Sequence, residues 1–357
     1  MSDVTGEQKP LSPADELRRA ARILERQAEY GQRIIDEAKR QQDRDKRKGH
    51  FIGLSGCTLT TGSTGDGISV SAGQDDPIFA ITPVTNRPDI GSLARALTPA
   101  GRNNFSYLNH LSGTISHEFY ISKRVAETTQ AALNVAYRAI SLLRLKTSCL
   151  INGISYSEVP WGQVAAHLNT VEIQPLEEPR RALWVSQAVI SESELEWVTL
   201  RLARDFELHE QPSYRLAYDS AADAPFLKDP RTAMARIWSG IESLFDVQNE
   251  LSFRLSMYAA VLISDDLEQR IDVQARFKRL YTLRSKAVHG AKMDASKIEE
   301  ALTSSWSLLR DLLMACIRTG PSLPSTADLD RALLGHPLTR DGGAVTHIPD
   351  QAANSGA

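Results

Sequence analysis

The chain has 357 residues, of which 42% are hydrophobic and 24% are charged, and its formal net charge is −3. This length predicts two domains, and the composition is that of a globular protein with a packed core. The small negative charge excludes nucleic-acid binding through overall electrostatics, so such binding must come from a local patch. No apolar run reaches the roughly 20 residues that span a bilayer, and the N-terminus lacks a secretory layout, so we expect a cytoplasmic protein without membrane contact.

The cysteines and histidines give no metal or disulfide signal. Cys57, Cys149 and Cys316 are far apart and lack the paired spacing of a zinc site, so we expect reduced, mostly buried thiols. His110 and His117 would lie two turns apart on a helix, too far to share one metal. We therefore predict neither a metal nor a cofactor.

The residue composition of the N-terminal part changes at Pro13. Residues 1–12 contain little to bury and are predicted to be disordered. Residues 13–48 carry long charged side chains around apolar residues at roughly helical spacing, which predicts a charged helical arm. Its mixed charges argue against an arm that binds nucleic acid.

Residues 49–217 mix strand and helix signals. β-branched residues with Gly, Ser and Thr predict short strands over residues 50–85, joined by the turn-rich "TGSTGDG". Helical periodicity returns over about 92–150, and strand-like "TVEIQPL" and "ALWVSQAVI" precede a helix near 194–206. We expect an α+β region with a regulatory or sensing role.

The stretch "YDSAADAPFLKDP", residues 218–230, interrupts the periodicity and is a candidate boundary. Residues 228–320 then divide into four helices, namely "RTAMARIWSGIESLFD", "ELSFRLSMYAAVLI", about 267–289 and about 294–318. Their short connections predict an antiparallel four-helix bundle. The predicted fold class is therefore α+β and mainly α, with a disordered tail at residues 335–357.

Two glycine-containing motifs and three tryptophans are not predicted to form functional sites. "GLSGC" lacks the second glycine of a nucleophile elbow, and "TGSTGDG" lacks the Gly-Lys-Ser/Thr ending of a phosphate loop. Trp161, Trp184 and Trp197 are predicted to be core anchors rather than stacking platforms, because basic residues other than Arg180 and Arg181 do not interleave them.

The main functional signal is "RFKRLYTLRSKAVHGAK", residues 276–292, which contains six Lys and Arg and no Asp or Glu. Arg284 falls in line with the apolar stripe of this predicted helix, so its guanidinium must reach solvent or meet a carboxylate or phosphate. Gly290 predicts a left-handed cap that ends the helix. An unwound end would let His289 turn back beside Arg284.

An imidazole beside a guanidinium suits cleavage of RNA by its own 2′-hydroxyl. The imidazole of His289 would transfer the proton, and Arg284 would bind the phosphate as negative charge builds. The other cations would hold the RNA backbone without reading bases: Arg276, Lys278, Arg279, Lys286 and Lys292. A plainer interpretation stays open, in which these residues complement the helix macrodipole or form a solvated face.

The runs "ARIWSGIESLFD", "ELSFRLSMYAAVLI" and "RLYTLRSKAVHGAK" resemble the Apea-like branch of the HEPN superfamily, whose four-helix bundles carry an R-x(4–6)-H motif. Arg284 and His289 match the two motif positions. The resemblance implies a metal-independent endoribonuclease, a toxin or antiphage-defence effector, whose composite site uses Arg and His from both chains of a homodimer formed through the bundle. Some members of the family are inactive binding modules.

Two further positions follow from the resemblance. Ser285 stands where active members often have Asn, Asp or His, and its hydroxyl can bind a phosphate but cannot carry a proton as His can. Glu242, in "IESLF", is the candidate for orienting Arg284 or His289. Two hypotheses follow: a ribonuclease controlled by a protein or phage-derived trigger at the N-terminal region, or a non-catalytic scaffold that binds RNA, a nucleotide or a partner protein.

Overall fold

A computed structural model describes residues 49–60, 67–71, 77–97, 105, 109, 112–148, 151–166, 173–176, 189–247 and 251–338. The predicted disordered start, the charged arm, residues 339–357 of the predicted tail, Cys149, His110 and Trp184 lie outside these ranges. The described residues from Gly49 onward belong to one compact unit.

The strands form a six-stranded antiparallel sheet in the order β3-β4-β5-β1-β6-β7, and β2 and β8 form a separate parallel pair. The strand bounds are β1 Gly49–Ser55, β2 Thr58–Leu59, β3 Ile68–Ser71, β4 Pro77–Pro83, β5 His117–Ser122, β6 Asn152–Ser157, β7 Gln174–Pro175 and β8 Val189–Ile190. β5 lies within residues 92–150, for which helical periodicity was predicted. His117 therefore begins a strand and does not share a helix face with His110.

The rest of the described chain is mainly helical. The helix bounds are α1 Ile90–Ala96, α2 Thr129–Thr147, α3 Glu192–His209, α4 Pro212–Asp223, α5 Pro230–Ser243, α6 Leu251–Ile263, α7 Leu267–Val288, α8 Ala295–Thr319 and α9 Thr326–Leu333, with 3₁₀ turns at Trp161–Ala166 and Ala224–Phe226. Within the described ranges, every helix is too short or too polar to cross a lipid bilayer.

The main core lies between one face of the sheet and the helices. Ile52 of β1 and Phe119 of β5 are fully buried, and they share a cluster with the apolar stripe of α2, including Val135 and Ala139. A second cluster, around Ile154 and the buried Trp161, packs beside α1. Trp161 is thus the core anchor that the sequence predicts, and Cys57 and Cys316 are buried thiols, as expected.

The predicted boundary at residues 218–230 covers the second half of α4, a 3₁₀ turn and the first residue of α5. Tyr218 and Ala221 of α4 belong to the same apolar cluster as Trp238 of α5. The Trp306 indole of α8 also donates a hydrogen bond to the Ala221 carbonyl at 2.8 Å. The α+β region and the C-terminal helices therefore share one core, because apolar surface exposed on α4 is covered by α5 and α8.

The C-terminal helices closely follow the predicted bounds. α7 and α8 pack against each other, and each packs against both α5 and α6. Trp238 sits at the centre, with its ring 5.2 Å from Phe277 and 5.4 Å from Tyr281. α9 is an additional helix that was not predicted from the sequence. It buries Leu329 and Ala332 beside α6.

Candidate functional site at the end of helix α7

Helix α7 ends at a left-handed glycine, as predicted. Gly290 has φ +76°, and its amide donates to the Ala287 carbonyl at 3.3 Å. The Ala291 amide reaches back to the Lys286 carbonyl at 2.9 Å. This pair of bonds is a Schellman motif, which satisfies carbonyl groups that the helix end would otherwise leave unpaired.

Arg231 of α5 holds this helix end from outside. Its guanidinium donates to the Ala287 carbonyl and, at 2.9 Å, to the Ala291 carbonyl. This role of Arg231 was not predicted from the sequence. A signal was available, because a cation in the first turn of α5 opposes that helix's own dipole and so indicates a contact elsewhere.

Arg284 is paired with the glutamate that the motif analysis named. Arg284 Nη2 lies 3.2 Å from Glu242 Oε1, and the two side chains are 23% and 30% exposed. The guanidinium also lies 5.6 Å from the centre of the Tyr281 ring. Arg284 Nε is buried and has no hydrogen-bond partner among the described residues, so the guanidinium retains one unused donor.

His289 lies at the exposed end of the helix, apart from Arg284. Its amide still donates to the Ser285 carbonyl at 3.1 Å, so the residue continues the helical path. Five helical steps separate it from Arg284 by about 140° around the axis. The unwinding expected at Val288–Gly290 is thus limited to Gly290, and within the described ranges no hydrogen bond or ring contact joins His289 to Arg284. Ser285 is partly buried on the same turn.

The basic window does not form a single patch. Arg276 donates to Asp311 Oδ2 and to the Ser304 carbonyl, both at 3.1 Å, so its guanidinium is engaged within the protein. Lys278 lies over the Phe253 ring at 5.5 Å. Three further predicted RNA-binding residues are exposed: Arg279, Lys286 and Lys292.

Helical geometry separates these cations from Arg284. Lys286 and Arg279 project about 160° and 140° away from it around α7. Which cations are paired within the protein and which face solvent could not be predicted from the sequence, because the neutralising carboxylates Asp311 and Glu242 come from other helices. Cations that face solvent can still contact an RNA backbone.

Another polar cluster surrounds His117 at the start of β5. Its Nδ1 is 2.8 Å from Ser116 Oγ and 3.5 Å from Cys57 Sγ, and burial lowers the pKa of its imidazole. Glu118 accepts hydrogen bonds from the Trp161 amide at 2.7 Å and from the Thr82 hydroxyl at 3.3 Å. Among the residues that the structure describes, no group of three His, Cys, Asp or Glu side chains is placed to hold a metal.

Comparisons of the chain with family models, with curated proteins and with solved structures find no match.

Proposed function

We propose that the protein is a metal-independent endoribonuclease of the HEPN type, acting in the cytoplasm as a toxin or antiphage-defence effector. In this proposal α5 to α8 constitute the antiparallel HEPN-like bundle. The observation that carries it is the Arg284–Glu242 pair, in which the Arg284 side chain remains 23% exposed. A phosphate oxygen of RNA would bind the exposed part of this guanidinium, and the exposed His289 lies on the next turn.

The proposed chemistry needs only a proton carrier and a charge stabiliser. The His289 imidazole removes the proton of the RNA 2′-hydroxyl, whose oxygen forms a bond to phosphorus while the bond to the 5′-oxygen breaks. The same imidazole, protonated by that step, then returns the proton to the leaving 5′-oxygen. The products are a 2′,3′-cyclic phosphate and a 5′-hydroxyl, and Arg284 stabilises the charge that builds on the phosphate.

The expected placement of His289 beside Arg284 within one chain is not found, so the proposal requires a composite site. Because the two side chains leave α7 about 140° apart, one chain does not present both to the same phosphate. A homodimer formed through the C-terminal helices would place His289 of one chain near Arg284 of the other. Ser285 then hydrogen-bonds a phosphate oxygen, and Lys278, Arg279, Lys286 and Lys292 hold the backbone.

The test is cleavage of labelled single-stranded RNA by the full chain in EDTA. We expect cyclic phosphate ends, with rates at least about 100-fold lower in His289→Ala and in Arg284→Ala. The matched controls are His336→Ala and Arg215→Ala, which remove the same side chains from exposed positions just after α9 and on α4. Cleavage that persists in His289→Ala contradicts the proposal.

Mixing the two inactive chains tests the composite site separately. One of the mixed dimer's two sites would carry both substitutions, while the other would keep an intact Arg284 and an intact His289. Mixed His289→Ala and Arg284→Ala chains should therefore recover part of the activity. Recovery of none, in a mixture shown to exchange subunits, would exclude an arrangement that uses one residue from each chain.

A second candidate is a non-catalytic scaffold that binds RNA, a nucleotide or a partner protein. It is favoured by the ion pair that engages Arg284 and by the absence, among the described residues, of a contact from His289 to Arg284. Under this hypothesis RNA crosslinked to the wild-type chain is recovered intact after long incubation. Efficient cutting eliminates it.

A further inference from the structure

A cluster of arginines lies at the end of α8 that is farthest from α7's glycine cap. Arg201 and Arg204 are on one face of α3, and the Arg204 guanidinium donates to the Ile317 carbonyl near the end of α8 at 3.1 Å. The next residue of α8, Arg318, donates to the Ile263 carbonyl at the end of α6 at 3.3 Å. Since α8 rises about 1.5 Å per residue, this cluster is roughly 35 Å from the start of that helix.

A tryptophan extends the cluster toward α2. Trp197 lies one turn before Arg201 on α3, with the Arg201 guanidinium 5.2 Å and the Lys146 ammonium 5.6 Å from its ring. Trp197 was predicted to be a core anchor because basic residues other than Arg180 and Arg181 do not interleave the three tryptophans in the sequence. The structure shows that it is only partly buried and is flanked by two cations.

Arg201 and Arg318 carry more positive charge than the described residues supply against them. Arg318 bonds the carbonyl end of α6, and such an end carries about half a negative charge. This helix end therefore offsets about a quarter of the two guanidinium charges. Within the described part of the chain, neither Arg201 nor Arg318 pairs with a carboxylate. Burial, and then the nearby Arg204 and Arg318, lower the pKa of Arg201, and Arg318 Nε is buried without a hydrogen-bond partner.

We propose that Arg201 and Arg318, with Lys146 at the rim, bind a polyphosphate anion, such as the phosphate chain of a nucleotide. A surplus of about one and a half charges is neutralised by one compact phosphate chain, whereas a single carboxylate would leave part of it uncompensated. Guanidinium groups also match phosphate oxygens in a two-pronged geometry. The site is remote from Arg284, so its ligand is distinct from the proposed RNA substrate.

The experiment is calorimetric titration of the full chain with tripolyphosphate and, separately, with ATP, both in EDTA at low salt. We expect binding that weakens as salt is added and that falls at least about tenfold in Arg201→Gln. Among the described residues, Arg201 makes no hydrogen bond to another helix, so this variant should fold, which thermal unfolding checks. Arg215→Gln, at an exposed position of α4, removes the same charge and should bind within about twofold of wild type.

The affinities for the two anions, and for the two variants, distinguish the possible results. Equal affinity for tripolyphosphate and ATP supports recognition through the phosphates alone, and tighter binding of ATP supports a nucleotide. No binding of either anion at millimolar concentration, or equal binding by Arg201→Gln and Arg215→Gln, overturns the proposal. The ribonuclease assay is independent of this result, because Arg201 is not part of the proposed RNA site.

Discussion

Removing the Arg231 hydrogen bonds should destabilise the C-terminal end of α7 without disturbing the core. Arg231→Met keeps the aliphatic stem but loses both hydrogen bonds to the Ala287 and Ala291 carbonyls. Hydrogen bonds from a charged donor contribute about 1.5–3 kcal/mol each when buried. Arg231 is only partly buried, so we expect the pair together to contribute about 2 kcal/mol.

The assay combines chemical unfolding with amide hydrogen exchange. A loss of about 2 kcal/mol that is local to the helix end corresponds to roughly 30-fold faster exchange of the Gly290 and Ala291 amides. Arg236→Met is the matched control, because its ion pair with Asp223 at 3.2 Å is more exposed and should contribute less than about 1 kcal/mol. Equal effects of the two substitutions, with unchanged exchange at Ala291, would refute the role of Arg231.

Three other predictions concern the same fold. A double-mutant cycle of Glu242→Gln and Arg284→Met should give a coupling of about 1 kcal/mol by chemical unfolding, and additive effects would contradict the ion pair. Gly290→Ala should cost about 1–2 kcal/mol in the same assay, because φ is +76° there while no atom lies within 4 Å of an added Cβ; no loss would argue against the left-handed cap. Burial lowers the pKa of His50 and of His117, so the unfolded chain binds more protons than the folded one below pH about 6.5. The free energy of unfolding should therefore decrease from pH 7 to 5, and His50→Gln should flatten that decrease; an unchanged slope would contradict it.

The sequence predicted the C-terminal helices well because their signals are strong and local. The apolar stripe of α5, the short connection before α7 and Gly290 after it are readable within a few residues. β5 was missed because its six residues, "HEFYIS", are too short for alternation to stand out, and their burial comes from pairing with β1 and β4. α9 was missed in a Pro- and Gly-rich stretch, although Ser325 and Asp328 form a capping box there.

The contacts of the candidate site were also predicted only in part from the sequence. The motif pointed to Glu242 as well as to Arg284, and the structure places them 3.2 Å apart. The sequence did not predict that Asp311 engages Arg276, nor that Arg231 holds the end of α7. Both contacts join residues that are distant in the chain, so no local pattern contains them.

By itself, the sequence determined where the C-terminal helices run, that α7 ends at a glycine, and that Arg284 needed a partner on its buried face. Periodicity and capping depend on residues within about four positions of one another, so the chain carries that information locally. Only the tertiary structure decided which cations are neutralised and which stay unbalanced, such as Arg201 beside Arg204 and Arg318. Electrostatic interaction depends on distance in space, which the packing of α3, α6 and α8 sets.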